Sequence, residues 1–225
     1  MKHLQVEDTF YGADAVAPPS SGLYETLGKR AFDMALALLI LPFVAGAVLV
    51  ISALVFIRDG ASPFFGHVRV GRGGRLFRCW KVRSMVPNAE AKLEAYLAEH
   101  PDAAEEWGAY HKLTDDPRIT PVGEVLRKTS LDELPQLWNV IKGEMSFVGP
   151  RPVTPDELEK YGPGRNGYCA MRPGITGLWQ VSGRNEVTYD ERVQLDMKYL
   201  RDVSFWKDLS IILRTALVVV RPTGR

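Results

Sequence analysis

The longest apolar stretch of the chain runs without a charged residue from Met34 to Ile57, a length of 24 residues. It follows Lys29 and Arg30 and is too long for the apolar region of a signal peptide. Apolar runs of this length are typical of membrane segments. The pattern therefore predicts a membrane segment near the start of the chain.

Pro42 divides this segment into eight residues before it and fifteen after it. Neither piece alone reaches the about 20 residues that cross a bilayer comfortably. Both flanks are basic, with Lys29 and Arg30 before the segment and Arg58 after it, which favours the cytoplasm for both ends. We therefore predict a proline-bent re-entrant helix, and a single, slightly kinked span stays open as the alternative.

Short β-branched and aromatic runs at Phe64–Val70 and Leu76–Val82 predict a hairpin, because glycine-rich residues 71–74 separate them. These glycines do not match a nucleotide-binding fingerprint, since no helix pattern follows them. Asn88 is the predicted cap of a helix that reaches about His100, and a second helical piece runs from Pro101 to about Lys112. Both pieces are acidic, and we expect them to be exposed.

The last predicted helix begins near Phe205 and ends by Arg221. Its apolar stripe consists of Leu209, Ile212, Leu213, Ala216, Leu217 and Val220. Such a stripe fits packing in a core and also fits a helix that lies in the membrane interface, and both interpretations stay open. Residues 1 to about 22 have no apolar periodicity and predict a mobile tail, while the tracts after Pro152 and from Arg172 to Asn185 predict loops.

Charge is distributed unevenly along a chain whose net charge is only +1. That net charge argues against a nucleic-acid partner. From Arg58 to Arg83 there are seven basic residues and one acid, a block typical of segments that lie against anionic headgroups. The two cysteines, Cys79 and Cys169, fit no metal-ligand spacing, so a zinc site of cysteine and histidine is not expected.

Two adjacent carboxylates, Asp132 and Glu133, lie among basic residues. Arg127 and Arg151 are near them in sequence, so the stretch is suited to phosphate chemistry. The residues from Ser130 to Glu133 also match a capping box, in which Ser130 and Glu133 would only begin a helix. Pro135 would then remove a hydrogen bond from the first turns of that helix, and the spacing alone leaves both interpretations open.

Several motifs in one order give the chain a resemblance to a known family, the monotopic phosphoglycosyl transferases of bacterial exopolysaccharide and O-antigen synthesis. The resemblance covers about residues 28–225. The motifs that carry it are Lys29–Asp33 with the Pro42-bent apolar segment, Lys81–Met85, Asp116–Arg118, Leu126–Gln136, Ser146–Pro152 and Pro173–Gln180. Val82 stands where the family usually has Phe in its Lys-Phe-Arg motif, which affects the packing there more than the charge.

The resemblance implies a role for each matched residue. Asp132 is similar to the nucleophile that takes up the sugar phosphate, and Glu133 is similar to its catalytic partner. Both acids are the implied ligands of Mg²⁺, the implied cofactor. The implied phosphate-binding residues are Lys81, Arg83, Arg118, Arg127 and Arg151.

The resemblance also implies a substrate, an acceptor and a place in the cell. The family transfers a sugar 1-phosphate from a UDP-sugar to undecaprenyl phosphate at the cytoplasmic face of the bacterial inner membrane. The tract around Trp179 favours a hexose, galactose or glucose, with an N-acetylated sugar left open. Membrane lipid, a second copy in a homodimer and the later glycosyltransferases of the pathway are the implied partners.

The implied fold is α+β and mainly helical. It comprises a flexible tail (1–27), a re-entrant membrane helix (28–58) and a compact cytoplasmic catalytic domain (59–225) with a small β-hairpin and interfacial amphipathic helices. Two rival functions stay open. One is a membrane-bound, Mg²⁺-dependent phosphohydrolase, and the other is a non-catalytic scaffold for polysaccharide assembly in which the acid pair only caps a helix.

Overall fold

A computed structural model describes residues 22–110, 113–182 and 188–220. Most of the predicted tail, residues 1–21, lies outside this range. Tyr24–Gly28, which the sequence assigned to the tail and the start of the membrane segment, forms a π-helical turn. The described residues form two compact units. The first consists of residues up to 44, 66–80 and those from 135 onward, and the second consists of residues 45–65 and 81–134.

The apolar segment forms α1 (Lys29–Asp59), one helix of 31 residues with Pro42 inside it. At a rise of 1.5 Å per residue it measures about 46 Å along its axis. Pro42 has no N–H, so the carbonyl of Leu38 loses its usual partner without ending the helix. Among the described residues, α1 is the one helix long and apolar enough to cross a membrane. Most of its apolar side chains are exposed, including Phe43 at 79%. The membrane re-entry at Pro42 stays a prediction.

The predicted hairpin is confirmed, with β1 (Phe64–Val70) and β2 (Leu76–Val82) paired in one sheet. The turn closes through a hydrogen bond of 2.7 Å from the Gly71 amide to the Arg75 carbonyl. Gly73 and Gly74 have φ angles of 71° and 74°, a region that other residues rarely adopt. The glycines therefore serve the turn.

The predicted acidic helices are α2 (Ala89–Glu99) and α3 (Pro101–Tyr110), and no residue of α2 is buried. Asn88 is the N-cap residue of α2, as predicted, but its side chain makes no capping hydrogen bond. The next helix is α4 (Pro121–Thr129), where the Thr120 hydroxyl accepts a hydrogen bond of 2.9 Å from the Gly123 amide. A 3₁₀ turn (Leu131–Glu133) follows, and then α5 (Gln136–Lys142).

The region after α5 is more regular than the sequence suggested. Its elements are β3 (Ser146–Val148), α6 (Pro155–Glu159), α7 (Arg165–Ala170), β4 (Gly174–Thr176), α8 (Tyr189–Arg201) and α9 (Phe205–Val220). β3 and β4 pair in parallel, with Ser146 opposite Gly174 and Val148 opposite Thr176. The prediction of loops is therefore wrong for much of this region, because α6, α7 and β4 contain 5, 6 and 3 residues, too few to show a periodicity. Residues 183–187 of the predicted loop lie outside the described part.

Each unit has an apolar core of its own. The larger core of the first unit includes Ala37 of α1, Val140 of α5, Val148 of β3 and Ile211 of α9. The second unit has a smaller core formed by Val55, Val82 and Leu126. The fold is mainly helical α+β, as the sequence predicts, with a long apolar helix near the start and a small two-stranded hairpin.

Only part of the apolar stripe predicted on α9 packs, since Ile212 lies against the larger core of the first unit. Leu213 and Leu217 are 58% and 61% exposed, whereas Asp208 and Ile211 are buried. Thr215 joins the packed face through a hydrogen bond of 2.6 Å to Thr176. Core packing is thus the wrong explanation for Leu213 and Leu217, because two polar residues with internal partners define the buried face.

Candidate functional site

The backbone reverses its helical sense immediately before the acid pair. α4 ends at Thr129, and Ser130 adopts φ 56° and ψ 18°, a left-handed conformation that is uncommon for residues other than glycine. The Ser130 amide donates a hydrogen bond of 3.3 Å to the Arg127 carbonyl and so closes α4. Ser130 makes no side-chain capping bond to the residues after it, and an N-cap requires extended backbone. The predicted capping box is therefore wrong.

The two acids lie on the 3₁₀ turn that follows. Its last bond runs from the Leu134 amide to the Leu131 carbonyl over 3.4 Å, and α5 begins only after Pro135. Pro135 thus precedes the helix and removes none of its internal hydrogen bonds. Asp132 and Glu133 therefore lie on a short turn between α4 and α5 and belong to neither helix.

Asp132 is buried, with 7% of its surface exposed. Burial raises the pKa of its carboxyl above the ordinary value, and the neighbouring charge of Glu133 acts in the same direction. The positive charges of Lys81 and Arg127 oppose this rise without cancelling it. The surroundings of Asp132 therefore stabilise its ionised carboxylate poorly, as expected of a reactive group.

Lys81 connects the end of β2 to both acids. Its Nζ atom lies 2.6 Å from Oε1 of Glu133 and 3.8 Å from Oδ2 of Asp132. Side chains alternate along a strand, so Val82 points away from Lys81 and is buried with Val55 in the core of the second unit. Valine at the position where the family has Phe therefore fills the core and leaves the charge of Lys81 beside the acids.

Arg127 is the most accessible of the predicted phosphate-binding residues in the second unit. It lies in the last turn of α4 and is exposed. Its charge lowers the pKa of Asp132 and of Asp116, yet within the described residues it forms no ion pair. Its guanidinium is available to an anion near Asp132.

Arg118 is held by a carboxylate of its own motif. Its Nε and Nη2 atoms donate to the two oxygens of Asp116 over 2.8 and 2.6 Å, and its guanidinium lies 4.9 Å from the centre of the Trp107 ring. Burial raises the pKa of Asp116, but these hydrogen bonds outweigh burial and lower the pKa overall. A role for Arg118 in phosphate binding stays a prediction, and it requires that a substrate compete with Asp116.

Arg83 fixes the end of α1 in the second unit. Its Nη2 atom lies 3.3 Å from Oδ2 of Asp59 and 3.2 Å from the Ala61 carbonyl, and its amide donates to the Pro63 carbonyl over 2.7 Å. Its Nε atom is buried without a partner. These contacts give Arg83 a structural role, and the predicted contact with phosphate stays a prediction.

Arg151 belongs to the first unit, in the loop after β3. This loop is tightly packed, since a Cβ at Gly149 would collide with the carbonyl oxygen of Arg172. The Arg151 guanidinium is exposed and lies 5.9 Å from the centre of the Trp179 ring, which Arg192 also contacts at 4.8 Å. Trp179 thus orients two cations, one of which is the predicted phosphate-binding arginine.

The acid pair fits Mg²⁺ when the diphosphate of a substrate is included. No group of three or more potential ligands among His, Cys, Asp and Glu exists in the described part of the chain. Mg²⁺ is commonly bound by one or two carboxylates together with substrate phosphates and water. Asp132 and Glu133 supply those carboxylates, and the Lys81 ammonium beside them indicates that this position favours positive charge.

Sequence reasoning missed the partners that fix the predicted arginines. Asp59 and Trp107 were given no role, Asp116 was named only as part of a motif, and Trp179 only as part of a tract linked to the sugar. The Asp-Pro-Arg spacing was the available signal, since Asp116 and Arg118 lie two residues apart in a turn. The contact of Arg83 with Asp59 joins positions 24 residues apart and left no local pattern.

Fold and site together define a mainly helical α+β protein with one long apolar helix and a buried carboxylate beside two cations. The chain belongs to the bacterial sugar transferase family, whose profile matches residues 24–222.

Its relatives include two longer proteins that are 50% identical to it over 196 residues, 87% of this chain. They are named UDP-galactose-lipid carrier transferase in Erwinia amylovora and undecaprenyl-phosphate galactose phosphotransferase in Salmonella typhimurium. The chain spans 41% of the length of each. The exopolysaccharide production protein ExoY of Sinorhizobium fredii is 47% identical over 210 residues, which cover 92% of this chain and 93% of that protein.

Proposed function

We propose that this protein transfers a sugar 1-phosphate from a UDP-sugar to undecaprenyl phosphate and releases UMP. The family supports this, as do the names of the Erwinia and Salmonella relatives, which are a lipid carrier transferase and an undecaprenyl-phosphate phosphotransferase. The name of the ExoY relative supports exopolysaccharide synthesis as the pathway. The transfer would be its first membrane step.

The observation that carries the proposal is the environment of Asp132. Its carboxylate is buried, its pKa is raised mainly by that burial, and two cations lie near enough to influence it. A nucleophilic carboxylate needs this combination, because it must remain ionised yet be poorly stabilised before reaction.

In the first step an oxygen of Asp132 attacks the phosphorus that bears the sugar. The bond from that phosphorus to the bridging oxygen breaks, and UMP leaves with the electron pair. In the second step an oxygen of undecaprenyl phosphate attacks the same phosphorus and displaces Asp132, which regains its carboxylate. The two displacements separate a soluble donor from a lipid acceptor.

The cations of the site reduce the repulsion between a carboxylate and a diphosphate. Lys81 and Arg127 neutralise charge next to Asp132, and Arg127 is free to contact a phosphate oxygen. Glu133, held by Lys81, would help to position the cations. Mg²⁺ held by Asp132 and Glu133 would supply further charge neutralisation and polarise the phosphoryl group.

The apolar helix and the exposed stripe of α9 support a location at the membrane. Leu213 and Leu217 are exposed on one face of α9, and Trp206 at its start is 75% exposed. An exposed apolar stripe with an aromatic residue at its end suits a helix that lies in the membrane interface. The proposed location is the cytoplasmic face of the bacterial inner membrane, with α1 re-entrant at Pro42.

Cysteine labelling tests this topology. Single cysteines at Ser20 and Ser62, in a variant whose Cys79 and Cys169 are replaced by serine, should react with an impermeant reagent from the same side of the membrane. Reaction from opposite sides would show that α1 spans the bilayer, and the proposed re-entry would be wrong.

UMP release tests the reaction. The protein is mixed with UDP-galactose, UDP-glucose or UDP-N-acetylglucosamine, with and without undecaprenyl phosphate. We expect one UMP per protein without the lipid and continuous turnover with it, fastest with a hexose and with galactose first. Continuous release without lipid would instead identify a phosphohydrolase. No release under any condition would leave a non-catalytic scaffold.

A further inference from the structure

Two arginines from distant parts of the chain meet at the C-terminal end of α5. Arg30 donates from Nη1 to the Val140 carbonyl over 2.6 Å and from Nη2 to the Ile141 carbonyl over 2.8 Å. Arg172 donates from Nε to the Gly143 carbonyl over 2.9 Å. Both guanidiniums are therefore fixed at one end of one short helix, within the first unit.

A third arginine lies close to this pair. Arg72 is exposed in the turn of the β-hairpin, and that turn packs against α7, which ends two residues before Arg172. Burial lowers the pKa of Arg172, and repulsion from Arg72 and Arg30 lowers it further. Arg30 and Arg72 are thus each near enough to Arg172 to disfavour its positive charge.

The fold does not neutralise these charges. Within the described residues no ion pair joins Arg30, Arg72 or Arg172 to an acid. The carbonyls at the end of a helix contribute about −0.5 of a charge. Asp33 raises the pKa of Arg172, and its Oδ1 atom accepts the Phe147 amide over 3.1 Å. The helix end and the Asp33 carboxylate together offset only part of the three positive charges, which leaves an excess of about +1.5.

The cluster lies at a defined distance from the apolar part of α1. Arg30 precedes Met34, the first residue of the uncharged run, by four residues. At 1.5 Å per residue this is about 6 Å along the helix axis. The polar layer of one leaflet is about 5–7 Å thick. With the apolar run in the hydrocarbon core, Arg30 lies at the depth of the lipid phosphates, and Arg172 is bound at the same end of α5.

We propose that Arg30, Arg72 and Arg172 form a binding site for the phosphate group of an anionic membrane lipid. Arg30 is held in place by its two carbonyl partners, and Arg172 is held through Nε, which leaves its terminal nitrogens for the ligand. Arg72 closes the site from the exposed hairpin turn. This inference rests on the membrane setting of the proposed function and is independent of the transfer reaction.

Native mass spectrometry of the full chain in detergent micelles tests the site, with phosphatidylglycerol or phosphatidylcholine added and no UDP-sugar present. We expect the wild-type chain to retain phosphatidylglycerol preferentially. Arg72→Gln should weaken this retention about fivefold, since a basic residue near anionic lipid contributes about that factor. Arg172→Gln should weaken it at least as much, whereas Arg172→Lys should retain part of it.

Arg201→Gln is the matched control, because Arg201 is exposed at the end of α8 and away from this cluster in sequence. Retention equal to wild type in Arg72→Gln would overturn the proposal, and this variant changes only an exposed turn residue. If inorganic phosphate alone binds in an Arg72-dependent manner and phosphatidylglycerol does not, the site is one for free phosphate and the lipid assignment is wrong. If the wild-type chain releases UMP but does not prefer phosphatidylglycerol to phosphatidylcholine, this inference is wrong and the proposed reaction stands.

Discussion

Two buried aspartates of this protein, each with a lysine partner, have opposite surroundings. Asp208 of the first unit is fully buried and accepts hydrogen bonds from the Tyr24 hydroxyl at 2.8 Å, the Lys29 ammonium at 2.6 Å and the Tyr199 hydroxyl at 2.6 Å. Asp132 of the second unit has its lysine at 3.8 Å, and its pKa is raised by burial.

The difference separates a carboxylate that stabilises the fold from one that is suited to catalysis. Three donors with good geometry compensate the burial of Asp208 and fix the start of α1 against α8 and α9. Asp132 has no comparable set of donors, so its charge remains available to an electrophile and to an external cation. Hydrogen-bond saturation, more than burial or the presence of a lysine, distinguishes the two.

Replacing Asp132 should have the largest effect on activity. Asp132→Asn removes the nucleophile, so turnover should fall by at least about 10³-fold. No adduct of sugar-phosphate mass should form when the protein is mixed with UDP-sugar. Glu133→Gln should slow both steps severely and still permit the adduct. Intact-protein mass spectrometry measures this, and a wild-type chain that turns over with lipid but never forms an adduct would contradict a covalent intermediate.

Removal of divalent metal should distinguish the two aspartates without any mutation. Excess EDTA should abolish transfer, because Asp132 and Glu133 need Mg²⁺ to approach a diphosphate, and added Mg²⁺ should restore it. The melting temperature should stay unchanged, since Asp208 is satisfied by donors of the chain itself. Full turnover in EDTA would rule out the metal.

Asp208→Ala should lower the stability of the folded protein. It leaves the Lys29 ammonium and two hydroxyls without their acceptor, a change that costs about 3–5 kcal/mol when a buried pair is broken. For a chain of this size the melting temperature should fall by about 10 °C. Glu124→Ala is the control, because the Glu124–Lys128 pair is exposed and its loss should be nearly neutral. A melting temperature equal to wild type in Asp208→Ala would contradict the structural role.

Lys81→Met should give the smallest effect and the most specific one. Lys81 lowers the pKa of Asp132 against the effect of burial, so its loss should raise that pKa further. Activity needs the ionised carboxylate, and the acid limb of the pH–rate profile should therefore move to higher pH. Arg118→Met is the matched comparison, since Arg118 is paired with Asp116 and should leave the limb in place. If the acid limb of the pH–rate profile does not shift in Lys81→Met, ionisation of Asp132 does not determine that limb.

The sequence predicted what local patterns encode. The bounds of the hairpin, the acidic helices and the long apolar helix follow from runs of similar residues, and the motif around Asp132 located the acid pair. The left-handed Ser130 was missed because the letters from Ser130 to Glu133 also fit a capping box, and only the end of α4 decides between the two. The buried face of α9 was missed because Asp208 and Thr215 are polar and gain their partners from residues far away in the chain.

The bond between Lys29 and Asp208 joins residues that are 179 positions apart. At about 5–20 residues per second of synthesis, α1 is complete at Asp59 roughly 7–30 s before Asp208, which fixes its start, has been made. During that interval its apolar side chains have no partner from α9 and require the bilayer or a chaperone. The order of synthesis therefore favours insertion of α1 into the membrane first and closure of the first unit around it afterwards.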